Sequence, residues 1–476
     1  MTDSGLSSPS ADTRNLRCLR VGLILCLAFS FAAVFKGEPH RGYADIGEYF
    51  EDAEHMWLKF DLSIPGPNGP EYRRYPLGLA FISAPFVYLG VLVHRVSGGM
   101  ISVRAVMSLI IPILGIATCL MLFELALAFK VSARAALWAA VIFGLAGPQL
   151  TFIRIFYTDI ATVFFVVLAA WSWLKSQHSP APGWQWLCGF SLAGIFGTHY
   201  GSVLLAIGMW LGFAGSVVFD KNSSLAQKVR PILSLTAPPA FFALVLLGLN
   251  YLRYGSPFRS GYDMVYTTQR LPLFDPSVIP LNLQVFAQLF VRVLWLLPSL
   301  WFLPAIRKFN RPLFLAAVLG LACQFAFWIA FPEFRRFPLR YPFPMIALAS
   351  LGLPFFAARL DALGRRPLVY CGLILFVYNA GMFLRGDDIF PSFVVNMYDA
   401  AGGIICHVWY MTPMPVENLA WGSPIGPLQY AVLTSCLVLA LISFRWAVLS
   451  AARLDSNVVA AEQPAVASPS IEFHSS

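Results

Sequence analysis

The chain has 476 residues, of which 58% are hydrophobic and only 12% are charged, and its mean hydropathy is +0.69. A soluble protein would carry roughly 25% charged residues, so this composition excludes a soluble globular enzyme. The net charge of +9 comes mostly from arginines beside apolar runs, which favours lipid phosphate as a partner and argues against nucleic acid. Because these runs are continuous rather than alternating, the sequence predicts an all-α polytopic membrane protein.

The N-terminal segment is polar and ends in Arg14, Arg17 and Arg20. This basic flank predicts a cytoplasmic N-terminus and an uncleaved first span, so the first loop would be extracytoplasmic. The chain is divided into a cytoplasmic segment at 1–20, a transmembrane core at 21–384 that includes loop 36–76, an extramembrane loop with the last span at 385–452, and a disordered tail at 453–476.

The apolar runs predict about 11–13 transmembrane helices, with boundaries uncertain by a few residues. The candidate spans are 21–35, 77–93, 104–129, 135–150, 160–174, 186–216, 232–251, 285–304, 312–331, 342–359, 367–384 and 428–448. Eight cysteines are scattered among them without a CxxC pair or a histidine cluster. The sequence therefore predicts neither a disulfide framework nor a zinc site.

The first loop is unusually rich in carboxylates. It contains Asp45, Glu48, Glu51, Asp52, Glu54, Asp61 and Glu71. Carboxylates beside a bilayer stabilise no apolar packing, so we expect some of them to handle a metal, a cationic group or a proton. We expect three of these carboxylates to be solvated charges of the loop, namely Glu51, Asp52 and Glu54.

Asp45 and Glu48 lie three residues apart, so a helix would place them on one face. Such a pair can bind a divalent cation such as Mg²⁺ or Mn²⁺, or one member can act as a general base. The first turn of a surface helix, where the helix dipole favours acids, is the alternative explanation.

The same loop ends with Arg73, Arg74 and Tyr75, directly before Pro76. Two arginines at the start of a helix bind phosphate well through forked donors. The alternative is that they anchor the helix at the membrane interface.

Asp159 opens an apolar run at 160–170. It fits a helix N-cap, and it equally fits a residue that orients a polar substrate. If 77–93, 104–129 and 135–150 all cross the membrane, Asp159 falls on the side opposite Asp45. A common site therefore requires one of these three segments not to cross.

Three further groups of ionisable residues lie at or inside apolar runs. His199 lies within 186–216, where it is either a packing residue or a functional one. Arg253 begins a long loop at 252–284. Three arginines, Arg335, Arg336 and Arg340, precede Tyr341 and the next span. They suit a lipid-linked phosphate that enters from the membrane, although a basic flank of a span would look similar.

The sequence lacks the signature motifs of several common enzyme classes. We find no Walker-type phosphate loop, no HExxH and no GxSxG. ATP hydrolysis and zinc proteolysis are therefore not expected, and the remaining pattern suits group transfer from a lipid-phosphate donor.

Four motifs in order resemble the GT-C class of integral-membrane glycosyltransferases, over about residues 21–360. The similar branch comprises the bacterial relatives of dolichyl-phosphate-mannose–protein mannosyltransferases and lipid A aminoarabinose transferase. The motifs are Ala44-Asp45-Ile46-Gly47-Glu48-Tyr49, Tyr75-Pro76-Leu77-Gly78 followed by Ala84-Pro85-Phe86, Tyr157-Thr158-Asp159, and Arg340-Tyr341-Pro342-Phe343-Pro344. The segment from Asn250 to Tyr262 also looks like a sequence frequent in that branch.

The resemblance implies a GT-C-like catalytic core in a bacterial inner membrane, with the active site on the extracytoplasmic face. Asp45 would activate the acceptor or, with Glu48, help to hold a metal, and Asp159 would be the second acid. The predicted substrate-binding residues are Glu48, Arg73, Arg74, Tyr75, His199, Arg253, Arg336, Arg340 and Tyr341.

The hypothesised activity is inverting transfer of a sugar from a polyprenyl-phosphate donor to an extracytoplasmic hydroxyl, assisted by Asp45. A transporter or flippase of a lipid-linked or anionic sugar is the alternative, and it would not need Asp45 for bond cleavage. A metal-independent lipid-pyrophosphate ligase or polymerase is a third possibility, and it would depend more on loop Arg or His. Transporters usually show repeated halves with interrupted helices, and the sequence shows no such repeat.

Overall fold

The structure is a computed structural model, and it describes residues 11–34, 44–66, 69–71, 76–153, 156–179, 181, 183–259, 274–332, 334, 340–385, 395–398, 404–407 and 427–462. Within these ranges the chain is helical, as predicted, apart from two short antiparallel hairpins. The hairpins pair Ile64–Gly66 with Gly69–Glu71 and Val395–Tyr398 with Ile404–His407.

The α-helices are Ala11–Val34, Ala44–Glu54, Gly78–Ile82, Ala84–Val96, Val103–Ser108, Ile110–Ala128, Ala133–Leu145, Pro148–Phe152, Thr158–His178, Gly183–Thr198, Val203–Val218, Leu225–Tyr254, Ile279–Arg292, Leu296–Phe302, Arg311–Ile329, Phe343–Ala349, Leu353–Ala362, Arg365–Arg385 and Pro427–Glu462. A π-helix covers His55–Lys59, and 3-10 helices cover Tyr200–Ser202, Pro276–Val278, Leu303–Lys308 and Ser350–Gly352.

Short-range signals explain where several of these helices begin and end. The hydroxyl groups of Ser102 and Ser132 each accept a hydrogen bond from the backbone N–H three residues later. Ser224 and Gln227 form a capping box. The same long helix ends at Gly255, whose φ of 69° is accessible to glycine at little cost.

Among the described residues, eight helices are long and apolar enough to cross a membrane, or nine if one bent pair counts as a single span. Three shorter apolar helices also occur, at Ala84–Val96, Ala133–Leu145 and Arg366–Tyr378. The chain is therefore a multi-pass membrane protein. These eight or nine candidate spans are fewer than the 11–13 helices that the sequence predicted.

Two predicted single spans are interrupted in the structure. The run 186–216 forms two helices, because residue 199 adopts an extended conformation with φ −149° and ψ 104°. The run 285–304 is bent by 94° between Pro276–Arg292 and Leu296–Lys308. Trp295 at this bend donates from its indole to the carbonyl of Ala146, which holds the bend against a neighbouring helix.

The segment 77–93, predicted as a span, does not cross. The indole of Trp57 donates to the Ala80 carbonyl at 2.7 Å, near the start of the segment. Arg104, which follows the segment, forms an ion pair with Glu54 at 2.9 Å. Tyr88, within the segment, also donates from its hydroxyl to the Trp57 carbonyl at 3.1 Å, so the segment packs against the acidic loop and lies on that side of the protein.

The next two apolar segments, Val103–Ala128 and Ala133–Leu145, run in opposite directions. Glu124, at the far end of the first of them, is paired with Arg20 near the start of the N-terminal helix. The chain returns through Ala133–Leu145 and reaches Asp159. Asp159 therefore lies on the same side as the acidic loop, which answers the question that the sequence left open.

The C-terminal helix extends further than the sequence suggested. It continues to Glu462, past residue 453, where the disordered tail was expected to begin. Asp455 accepts a hydrogen bond from the backbone N–H of Ala133 at 2.8 Å, and Asn457 donates to Asp12 at 2.7 Å. These contacts with two other helices explain why this part of the tail is ordered.

Candidate active site

The acidic loop contains the predicted helix, and this helix packs against the segment that leads to Asp159. Tyr49 meets Tyr157 edge-on, with ring centroids 6.2 Å apart. Phe50 stacks on Phe156 with a centroid distance of 4.1 Å. These aromatic contacts bring two predicted motifs that are more than a hundred residues apart in the sequence into one region.

The predicted acids of this helix occupy different environments. Asp45 is the second residue of the helix Ala44–Glu54, and its side chain lies outside the described part of the structure. Glu48 is half-buried. Asp52 is only 6% exposed, so the prediction of a solvated charge was wrong for it. Phe50 and Ala53 beside it are fully buried as well, so this part of the helix packs into the protein.

Asp159 and Arg340 form a buried ion pair. The Nε of Arg340 donates to Oδ2 of Asp159 at 3.1 Å, and both residues are buried. Asp159 is not the N-cap of its helix, because Tyr157 occupies that position and Asp159 lies inside the first turn. The pair joins two of the predicted motifs directly.

Aromatic rings surround the guanidinium group of Arg340. Its Cζ lies 4.3 Å from the centroid of the Tyr157 ring, a cation–π distance. Burial disfavours the charged form of Arg340, but the negative charge of Asp159 favours it, and the pKa of Arg340 lies well above its usual value. Arg340 therefore stays cationic, paired with the Asp159 carboxylate.

His199 lies at the helix break, close to the same cation. Its ring centroid is 6.1 Å from that of Tyr341 and 6.2 Å from that of Trp328, and these two aromatic rings stack on each other at 4.9 Å. The His199 side chain is buried, and a neutral imidazole can either donate or accept a hydrogen bond.

Arg253 is buried at the end of the long helix Leu225–Tyr254. Its guanidinium carbon lies 5.1 Å from the ring centroid of Tyr254. Tyr254 is also within electrostatic range of Asp52, which places Arg253 close to the acidic helix. The remaining predicted cationic and aromatic contacts, Arg73, Arg74, Tyr75 and Arg336, lie outside the described residues.

An apolar groove is lined in part by the helix that follows Arg340 in the chain. It has a volume of about 530 Å³ and is lined by Phe286, Phe290, Leu300, Ala322, Pro342 and Ile346, among others. Pro342, which lines the groove, lies two residues after Arg340 in the chain. Phe290 and other rim residues are exposed on helices that can cross the membrane, so the groove opens towards the lipid.

Two buried amides that the sequence analysis did not single out fix the backbone around this region. Asn282 lies within hydrogen-bond distance of the carbonyl oxygens of Trp328, Ile329 and Phe331, at 3.0–3.1 Å. Gln324 contacts the chain just after the break at His199. A lone amide in an apolar run is a signal that could have identified both.

We expect Asn282→Leu to lower the free energy of unfolding by about 1–3 kcal/mol, because the terminal carbonyls of Arg311–Ile329 would lose a buried donor. Thermal unfolding in detergent measures this. Asn250→Leu is the matched control, since Asn250 makes one long hydrogen bond of 3.4 Å to Pro257. Equal shifts in the two variants would contradict the capping role of Asn282.

A bound metal cannot be located from the described side chains. Within that part of the chain, no group of three His, Cys, Asp or Glu is arranged to hold an ion. Of the predicted pair Asp45 and Glu48, only Glu48 has a described side chain, and the metal stays a prediction.

The fold matches solved membrane enzymes. ArnT from Cupriavidus metallidurans, solved with bound undecaprenyl phosphate, aligns over 95% of this chain and 79% of its own length, with a TM-score of 0.53 and 17% identity. This chain has the GT-C fold. The resemblance that the ordered motifs suggested is thus confirmed at the level of the GT-C fold.

A second solved structure is the oligosaccharyltransferase of Archaeoglobus fulgidus, in complex with Zn and sulfate. It aligns with 76% of this chain at 15% identity and a TM-score of 0.45, and this chain spans about half of its length. No family profile and no curated protein matches the sequence. The roles of individual residues in this GT-C site therefore remain predictions.

Proposed function

We propose that the protein is a membrane glycosyltransferase that moves a sugar from a polyprenyl-phosphate donor to an acceptor hydroxyl. The observation that supports this most is the buried Asp159–Arg340 pair, two residues before Pro342, which lines an apolar groove. A polyprenyl phosphate has the same two parts, a long apolar chain and an anionic head. ArnT, which has the same fold, is the protein solved with undecaprenyl phosphate.

Arg340 would stabilise the departing phosphate. Negative charge develops on the leaving oxygen as the glycosidic bond breaks, and a fixed cation in a dry site stabilises it strongly. Asp159 would hold the guanidinium in place, so we assign it a positioning role as the second acid. His199 and Tyr341 would contact the head group beside it, as would Arg336, Arg73, Arg74 and Tyr75, the predicted contacts outside the described residues.

The acceptor would be activated from the acidic helix. Asp45 would accept the proton of the acceptor hydroxyl, which then attacks the anomeric carbon from the side opposite the phosphate, with inversion. Glu48 and Arg253 would bind the sugar or the acceptor, and Glu48 would be the second ligand if Mg²⁺ or Mn²⁺ binds. The aromatic contacts between this helix and Tyr157 support a common site.

We propose that this site faces the extracytoplasmic side of a bacterial inner membrane. The N-terminal helix begins with Arg14, Arg17 and Arg20, at the end of the protein opposite the acidic helix. Arg134 is also at that opposite end, where it pairs with Asp361 at 3.0 Å. Basic residues concentrate on the cytoplasmic side of membrane proteins, and this supports the orientation.

The test uses purified protein in vesicles with a panel of polyprenyl-phosphate sugars and lipid-extract acceptors. Wild type should release polyprenyl phosphate, and Ala322→Trp, which fills the groove, should lower the rate roughly tenfold or more. Leu315→Trp, on the lipid-facing surface of the same helix two turns away, is the matched control and should behave as wild type.

Two outcomes would contradict the proposal. If the sugar lipid changes leaflet without cleavage, the protein is a transporter or flippase. If both tryptophan variants slow the release equally, the groove does not hold the polyprenyl chain.

A further inference from the structure

Gln324 is a fully buried amide in the middle of a helix that can cross the membrane. Its Nε2 donates to the carbonyl oxygen of Gly201 at 2.6 Å, and its Oε1 accepts from the backbone N–H of Leu205 at 3.0 Å. Both hydrogen-bonding groups of the side chain are thus used, and both partners are backbone atoms of another helix.

These two backbone groups need a partner because the helix is broken before them. Residue 199 is extended, and the next α-helix starts at Val203, so the N–H of Leu205 belongs to its first turn and has no carbonyl partner within the helix. In the apolar interior of a membrane protein water cannot supply the missing hydrogen bonds. Gln324 supplies them from the neighbouring helix.

The backbone at the break is tightly packed against neighbouring side chains. A Cβ atom at Gly201 would lie 2.6 Å from Cη2 of Trp328 and 2.9 Å from Cε1 of His199. A small displacement of residues 200–202 would therefore move the imidazole relative to Trp328 and Tyr341. Ser202, in the same short turn, also contacts Nδ1 of His199 at 3.2 Å.

We propose that Gln324 is a positioning residue, which keeps the break after residue 198 in the shape that holds His199 against Trp328 and Tyr341, the residue that follows Arg340. This inference rests on the proposed function, in which His199 contacts the phosphate head group. Gln324 itself touches no substrate. Its effect on transfer passes through the backbone of Gly201 and Leu205.

The test is a double-mutant cycle on the rate of polyprenyl phosphate release. Gln324→Met keeps the length of the side chain without its hydrogen bonds, and it should lower kcat/KM by roughly tenfold to a hundredfold. His199→Ala alone should have an effect at least as large. The double variant should match His199→Ala within about twofold, because His199 transmits the effect of Gln324.

Thr236→Val is the matched control. It removes one hydrogen bond to the helix that follows the break, Val203–Val218, in which the indole of Trp210 donates to Thr236 at 3.1 Å. Thr236 does not contact the break itself. Its effect, if any, should add to that of His199→Ala. Gln324→Glu retains an acceptor for Leu205 but not the donor to Gly201, so it should rescue part of the loss.

A second readout does not depend on activity. Diethyl pyrocarbonate should modify His199, mapped by mass spectrometry, several-fold faster in Gln324→Met than in wild type or in Thr236→Val, because the buried imidazole would become accessible. Faster modification in a protein that cleaves no donor would refute the proposed function and support the positioning role. The role of Gln324 would be overturned if the enzyme is active, the losses of kcat/KM in the two single variants add in the double variant, and the rate of His199 modification is unchanged in Gln324→Met.

Discussion

Replacing Arg340 with glutamine is expected to lower the free energy of unfolding by about 3–5 kcal/mol and to abolish sugar transfer. The reason for the loss of stability is that the variant removes the cation 3.1 Å from a fully buried carboxylate, Asp159. The loss of transfer has a separate cause, because no fixed positive charge would then face the leaving phosphate. Thermal unfolding in detergent and release of polyprenyl phosphate measure the two effects independently.

The double variant Asp159→Asn/Arg340→Gln separates these effects. Two neutral amides of similar shape can hydrogen-bond to each other, so most of the stability should return while transfer stays absent. Arg340→Lys keeps the charge but loses the planar fork, and we expect intermediate stability and weak transfer. An active, fully stable Arg340→Gln protein would contradict the assignment of this pair to the site.

Asp45→Asn is expected to slow transfer roughly a hundredfold to ten-thousandfold while the protein still folds and inserts. A general base contributes about this factor, and asparagine cannot accept the proton of the acceptor hydroxyl. The effect on stability should be small, because an acid near a helix N-terminus contributes only about 0.3–1 kcal/mol. The measurement is release of polyprenyl phosphate together with a newly glycosylated product.

Glu51→Gln serves as the matched control for this variant. Glu51 belongs to the same helix, and the same carboxylate-to-amide change there should leave the transfer rate unchanged. Full turnover by Asp45→Asn would refute the assignment of Asp45 as the base. A variant that binds the donor normally but never cleaves it would instead support that assignment.

Much of the architecture was predictable from the sequence, because membrane solvation constrains the chain so strongly. Long apolar runs in lipid must be helical, since no other open structure satisfies the backbone there. The order of the motifs at Asp45, Asp159 and Arg340 also predicted the GT-C fold, and the structural match confirmed it. Hydropathy by itself was less informative at 77–93, which is apolar but lies beside the acidic loop.

The candidate site was predictable only as a set of residue types. Local spacing placed Asp45 and Glu48 on one helix, and the structure has a helix there. Spacing could not tell that Asp52 faces inward or that Asp159 pairs with Arg340, 181 positions away. Such contacts depend on how distant helices pack, and a single sequence without related sequences carries no record of that packing.

The sequence by itself determined that the protein lies in a membrane, that it is helical, and which residues are available for chemistry. These properties follow from composition and short-range periodicity. Only the tertiary structure decided which segments cross and which charges meet. Arg104 and Glu54 hold the segment around 77–93 on one side, and Gln324 stabilises a break in what reads as a continuous span. Each outcome depends on a hydrogen bond or ion pair between residues far apart in the chain, and local patterns in the sequence do not encode such a pair.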